Sequence, residues 1–521
     1  MAAKIKIKTK KYLQEDADGK ISFKKIDEKG NTLFHLLAGG NNTRELGKLL
    51  HSIKAYLPNV KSKHPKNYKG ATPLHVAANS GSFNMCKLII EYVEDKSPYD
   101  SVGQTPLHLA VVRGDDQICD LFLKNVTDKH PKTNGGATPL HIAAQRGSFD
   151  MCKTIIENVA DKSPKDKIGH TPLHVAAIRG DVEIFDLFLK NVENKEPASY
   201  NLQTPLHYST EMNNPQICKL LLKNAKNKNP ADVNGLTPLH LASKKGYFEI
   251  FKLIATEVQD KNPKDNNLTT PLHCAAQNGD VEIFRYTFQY VLNKNPADNR
   301  GITPLHLAVQ NGHLIICELI IQDPITEKNP KDKEGSSPLH FAAISGNLQA
   351  FLWFSNKINN TNPEDYMGRT PLHNAAGNGH WQICKSIIET VKDKNPKDKT
   401  GSTPLHWAAT IGHIPSFLWI GYWTKNFNPE DSMGITPLHI AARKGYLLIC
   451  KTIINIIDEK NPKCSDGNTP LHCAAQYGRV GVFELIIKIV NEKNPKNNLG
   501  QTPLDLADGH KNIHRLHRRF S

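Results

Sequence analysis

Long hydrophobic runs are missing from this chain. No apolar stretch approaches the roughly 18–20 residues that a membrane-spanning helix needs; SFLWIGYW, residues 416–423, is among the longest and falls far short. The N-terminal MAAKIKIKTKKYLQEDADGK places lysines where a secretory leader needs continuous apolar residues. A cytoplasmic protein is the default expectation, with the nucleus equally compatible. Cysteine is sparse: ten in 521 residues, never as C-x-x-C, which argues against a zinc site or a disulfide framework and for a reducing compartment. Tryptophan occurs only five times. The sequence also lacks G-x-x-x-x-G-K-[ST], G-x-G-x-x-G, H-E-x-x-H and G-x-S-x-G, so no phosphate cradle, zinc-protease helix or nucleophile elbow is indicated. No cofactor, metal or small-molecule substrate is expected.

A concentrated charge is absent too. The formal net charge of +15 is spread thinly: residues 1–30 carry nine lysines against five acids, and residues 505–521 four basic against two acidic residues. This is unlike the basic stripe of a dedicated nucleic-acid binder, so nucleic acid and membrane are not the expected partners. The 39% hydrophobic and 22% charged content suits a folded protein. The length exceeds one ordinary core and requires several domains or a repeat array.

The repeat is there in full view. TPL begins at Thr72, Thr105, Thr138, Thr171, Thr204, Thr237, Thr270 and Thr303, then as SPL at Ser337, then at Thr370, Thr403, Thr436, Thr469 and Thr502. Twelve of the thirteen steps are 33 residues and one, across Asp323-Pro324, is 34. A degenerate copy, Asn31-Thr32-Leu33-Phe34-His35, lies 40 residues upstream of Thr72. In GATPLHVAANSG, Thr72 suits a helix N-cap, Pro73 the first helical position and Gly81 a left-handed C-terminal cap. Leu74, Ala77 and Ala78 form a small-residue apolar face. A second helix follows in FNMCKLIIEYV, with Met85, Cys86, Ile89, Ile90 and Val93 at helical spacing. DKSPYDSVGQ then supplies turn residues. One such unit cannot bury its apolar face alone, so neighbours must stack.

D-x-x-G-x-T-P-L-H-x-A-A-x-x-G at this period resembles the ankyrin repeat. The resemblance implies an all-α repeat solenoid of stacked helix–turn–helix units joined by short hairpin turns, and a protein–protein interaction scaffold or adaptor that binds partner proteins along the solenoid. Two departures carry expectations of their own. Valines (Val93, Val126, Val159, Val192, Val258, Val291) stand where the family places Gly-Ala, which predicts a second helix one turn longer. Leu202 and Leu268 replace the glycine before Thr204 and Thr270, leaving those two hairpins in question. The organisation reads as a basic tail over 1–26 and an array over 27–521. Within the array, 27–66 is an N-terminal capping repeat, 67–497 holds thirteen internal repeats and 498–521 is a C-terminal capping repeat. The chain thus reads as a complete array.

Three columns carry chemistry-bearing residues. Fourteen histidines, from His35 and His75 to His472, occupy the TPLH position. Successive rings would stand about 10 Å apart, too far to share a metal, and the resemblance implies hydrogen bonding to the Thr and the neighbouring turn. Seven cysteines (Cys86, Cys119, Cys152, Cys218, Cys317, Cys384, Cys450) share a second-helix column otherwise filled by Phe, so they read as buried small hydrophobes; only Cys464, in a turn, reads as exposed. The third column, nine residues before each TPL, is lysine: Lys63, Lys96, Lys129, Lys162, Lys195, Lys228, Lys261, Lys294, Lys328, Lys394, Lys460 and Lys493. Stacking would align these as a ladder. It is either a solvated row partly neutralised by neighbours such as Asp95, or an anion-directed surface for acidic partners, phosphoinositide membrane or nucleic acid.

The least repetitive segment is SFLWIGYWTKNF, residues 416–427, with a counterpart 66 residues earlier in AFLWFSNKINNT. Both shrink core columns (Ala350 and Ser416, Ser355 and Gly421) and gain aligned tryptophans, Trp353 and Trp419, as a repacked helix would. Both also replace a charged column by Leu352 and Leu418, and break the lysine ladder at Thr361 and Phe427. With Trp381, Trp407 and Trp423 nearby, residues 350–427 are the candidate partner-binding patch.

Overall fold

Capping chemistry written into every copy sets the helices. The computed structural model describes residues 13–15, 21–40, 43–56, 65–358 and 360–520. In the copy at Thr72 the first helix is Pro73–Ser80. Thr72 is extended (φ −95°, ψ 167°) at its N-cap, Pro73 opens the first turn, and Gly81 closes it at φ 75°. Proline there gives up an N–H that the helix leaves free anyway, and glycine takes the left-handed conformation without a Cβ clash. Leu74, Ala77 and Ala78 are completely buried. The second helix, Phe83–Tyr92, buries Met85, Cys86, Ile89 and Ile90. The same pair recurs down the chain, so the fold is the expected all-α repeat solenoid. Within the repeats, first helix packs on first helix and second on second of adjacent copies.

The repeats fall into two compact units, one of Met1–Ala242 with Glu249–Gln259 and the other of Ser243–Phe248 with Asp260–Ser521. Among the described residues the only strands are β1 (Leu13–Glu15) and β2 (Ile21–Phe23), an antiparallel pair with Leu13 opposite Phe23. They lie within the segment expected to be a tail. Phe23 is buried, its ring 4.6 Å from that of Phe34 in the first repeat. KIKIKTKK lies outside the described residues. The second helix of the first copy, Thr43–Tyr56, runs 14 residues and buries Leu46 and Leu50. At the other end, Lys511–Phe520 buries Ile513 and His517 and packs on Val480–Ile487.

The extra turn expected at the valines does not form. The second helix stops at Tyr92, and Val93 is extended (φ −107°, ψ 141°) with its side chain buried. Val126, Val159, Val192 and Val291 repeat this backbone geometry. A β-branched residue is at ease in extended backbone, and in several copies the carbonyls at the helix end are met by side chains instead. The two doubtful hairpins do form. Leu202 and Leu268 adopt φ 58° and φ 60°, where the other hairpins place glycine. Their N–H groups still close the turn on the carbonyls of Ser199 and Asp265 at 3.0 and 2.9 Å.

Candidate functional site

The TPLH histidines are structural members of each repeat. The Thr72 N–H donates to His75 Nδ1 at 3.0 Å, and Thr72 Oγ1 lies 2.9 Å from the same nitrogen. With Nδ1 accepting, the ring proton sits on Nε2, which reaches the carbonyl of Gln104 in the next repeat at 3.0 Å. His108, His306 and His472 make the same bridge to the carbonyls of Ala137, Ser336 and Gln501. Burial pushes these rings down, to about 4 for His108 and His306, so they are neutral donors. In the final copy Asp505 takes the place of His, its carboxylate accepting from the N–H and Oγ1 of Thr502 at 2.7 and 2.8 Å. Among the described residues no group of three or more His, Cys, Asp or Glu is placed to hold a metal. The seven column cysteines are buried, and burial raises their thiols, to about 12 for Cys86 and Cys384. Cys464, expected to be exposed, is half-buried, as are Cys274 and Cys473.

Most of the ladder lysines turn towards their own array. Lys228, Lys294 and Lys493 donate Nζ–H to the carbonyls of Leu222, Phe288 and Ile487, six residues upstream at the end of the second helix. Lys460 reaches both Ile454 and Ile457. Others point to the end of the following second helix. Lys195 donates to Asn224 Oδ1 at 3.1 Å, Lys228 lies 4.0 Å from Glu257, Lys261 stands over Tyr290 and Lys394 over Trp423. A cation at a helix C-terminus meets both the open carbonyls and the negative end of the dipole. Lys96, Lys129 and Lys162 are half-buried and Lys328 is exposed. Lys63 lies outside the described residues.

The candidate patch divides between helix faces. Leu352, on Leu348–Ser355, and Leu418, on Ile414–Thr424, are 40% and 41% exposed, on the outward side of their second helices. Trp423 is exposed beside Tyr422 (ring centroids 5.9 Å) and Trp419 (6.2 Å). Trp353 and Trp419 are half-buried beneath cations, with Lys357 and Lys385 Nζ at 5.6 and 5.3 Å from their rings. The indole N–H of Trp419 is buried without a hydrogen-bond partner. Trp381 opens its helix, exposed. Two residues leave the patch. Phe427 turns inward, its ring 6.1 Å from Phe417, into the space that Gly421 vacates: a Cβ at Gly421 would lie 2.3 Å from Phe427 Cε1. Trp407 belongs to a first helix, Pro404–Ile411, where it packs edge-on against His373 and over Gly377.

Three exposed residues not singled out from the sequence extend the outward face: Ile315 (53%), Tyr422 (71%) and Leu448 (54%). The charged column continued by Leu352 and Leu418 holds Lys87, Asp120, Lys153, Asp186, Lys219 and Lys252 in the earlier second helices. Comparing the columns one turn to either side would have revealed the larger patch. The asparagines that follow the ladder position hold another role that the repeat pattern did not disclose, and they keep it where Thr361 and Phe427 replace the lysine. Asn229, Asn262, Asn295, Asn362, Asn428 and Asn461 each accept, through Oδ1, the backbone N–H of the Leu in the next TPLH. At Lys228, Lys294 and Lys460 the lysine closes one helix end while the asparagine beside it opens the next.

The sequence profile described as ankyrin repeats (3 copies) matches overlapping stretches from residue 33 to residue 463, and the single ankyrin repeat profile matches 466–497. The search of curated proteins finds no match. Among solved structures, the ankyrin repeat domain of Bcl-3, described as a unique member of the IkappaB protein family, is 21% identical; the match covers 41% of this chain and 95% of that one, with a TM-score of 0.38. Ankyrin repeats are generally protein–protein interaction modules. With matched profiles spanning well over half its length, this chain belongs to the ankyrin repeat family.

Proposed function

We propose that this chain is a non-enzymatic scaffold or adaptor that holds a protein partner on the outward face of its second helices between Ile315 and Leu448. One observation carries the reading: Leu352 and Leu418 are exposed in a column where the preceding repeats present charge, with Tyr422 and Leu448 exposed on the same face. Exposed apolar residues cost little singly, but a cluster with an aromatic centre and a polar surround is the composition of an interface core. Trp423 supplies that centre, with Lys394 over its ring and Lys385 over that of Trp419.

The test is capture from lysate at graded salt, with nuclease and lipid-overlay controls, using the wild-type chain and the Leu352→Asp/Leu418→Asp variant. A set of proteins that survives moderate salt and is lost with the double variant supports the apolar face. Identical capture by both chains sinks it. Capture that collapses with salt in both chains alike would instead favour the anion-directed alternative through the lysine ladder.

A further inference from the structure

A second surface, of opposite chemistry, lies in the first unit. A recess of about 780 Å³ sits between hairpin tips and first helices, with Val102, Val112 and Ile142 as its apolar part and Gln145, Arg146 and Arg179 along its edge. No carboxylate and no aromatic ring lines it. Arg146 and Arg179 occupy the same column of consecutive repeats, eight residues after Thr138 and Thr171, and Arg113 stands in that column one repeat earlier. The column holds arginine in these three repeats alone; the next copies have Met212, Lys245, Asn278, Asn311 and Ser345.

The guanidinium groups are held in place from below. Arg113 donates to the carbonyl of Asn79 at 3.0 Å, Arg179 to that of Gln145 at 2.7 Å, and Arg146 to that of Val112. Each reaches back one repeat to a carbonyl left open at a first-helix C-terminus. A guanidinium has five N–H donors, so most of them stay available. All three arginines are exposed, and among the described residues none forms an ion pair. Asp115 and Asp181, in the adjoining loops, are already engaged as N-caps of second helices, accepting from Ile118 and Ile184.

We infer that this groove binds an extended acidic peptide segment of a partner protein, with an apolar side chain in the recess and carboxylates on Arg146 and Arg179. The spacing fits. Equivalent positions in stacked repeats lie about 10 Å apart. A peptide in the extended polyproline II conformation advances about 3.1 Å per residue with about three residues per turn, so carboxylates three residues apart face the same side and reach both guanidinium forks. Bidentate pairing is what arginine does best with planar carboxylates. A single-stranded nucleic acid would need aromatic platforms for its bases, which the groove lacks, and a membrane surface cannot enter the recess. The inference rests on the reading of the chain as a protein-binding scaffold but uses a different face, so each fails on its own evidence.

The column itself supplies the right variant. Asn278 donates to the carbonyl of Lys244 from this position, so Arg146→Asn/Arg179→Asn removes the charge and keeps a donor for the inter-repeat bond. Thermal unfolding of each variant first establishes that folded chains are compared. Binding to the full chain is then followed by fluorescence anisotropy with a labelled peptide carrying Glu-Leu-Ser-Glu between Gly-Ser flanks. The double variant should bind about tenfold or more weakly, and a Gln-Leu-Ser-Gln peptide should lose as much on the wild type. Arg113→Asn, outside the groove, and Leu352→Asp/Leu418→Asp should bind the probe as the wild type does. Absence of wild-type binding at millimolar peptide, equal binding by the double variant, or equal competition by an oligothymidine would each overturn the proposal.

Discussion

His306 is closed off from solvent, and both of its ring nitrogens are engaged. Nδ1 accepts from the N–H of Thr303 at 3.1 Å, and Nε2 donates to the carbonyl of Ser336 at 3.1 Å. Burial holds the ring at about 4, although the bond to Ser336 partly opposes the shift. His108, His174, His340, His373 and His439 are pushed to about 4 in the same way. A folded value below the ordinary 6.5 means that the unfolded chain takes up the proton first. The stability contributed by the neutral rings is therefore complete above about pH 6.5 and is lost as pH falls towards 4. The thermal midpoint should drop steadily from pH 7 to pH 5, and a midpoint that stays flat over that window would refute the account. These roles were legible in the sequence because fourteen copies share one position. The asparagine caps were not, since their partner lies ten residues on, across the hairpin.

At the scale of the element, what closes a helix decides its length. The apolar pattern alone lets the second helices run a turn too far, because a buried valine continues that pattern whether its backbone is helical or extended. In four copies the stop is sealed by a lysine, Lys228, Lys294, Lys460 or Lys493, six residues beyond the carbonyl it caps. Lys460 is the clearest case, reaching the carbonyls of both Ile454 and Ile457. Lys460→Met should cost about 1–2 kcal/mol in urea unfolding, through carbonyls left without a donor, whereas Lys328→Met, at an exposed position, should change little. Equal effects at the two positions would deny the ladder its capping role. The hairpins give the converse prediction. Leu202 and Leu268 hold left-handed backbone at φ 58° and φ 60°, a conformation that disfavours a side chain by about 1–2 kcal/mol. Glycine there relieves the strain but frees the unfolded chain by about 0.5–1 kcal/mol. Leu202→Gly should accordingly stabilise the protein by about 0.5–1 kcal/mol in the same assay, and a loss of stability would place the strain elsewhere.

For the whole molecule, the array was legible from its period, and the region of the candidate patch from the two copies that break their columns. Which of those residues face outward was not, because a column assignment fixes a side chain's helix position and leaves its rotamer open. Phe427 shows the difference: it fills the space over Gly421, so its appearance and the missing side chain are one exchange of volume. That exchange also makes a probe of how stability is distributed. In a repeat array each copy is supported mainly by its neighbours, so damage should spread only locally. Gly421→Val would force Phe427 away from Phe417, an overpacking cost of about 1–3 kcal/mol. Hydrogen exchange followed by mass spectrometry should then show faster exchange in peptides from Pro404–Ile411, Ile414–Thr424 and the adjoining helices Trp381–Thr390 and Leu447–Ile456. Peptides from Pro73–Ser80 to Val182–Asn191 should keep the protection of the wild type. A uniform loss along the chain would mean that the repeats unfold as one cooperative body and that stability is not held copy by copy.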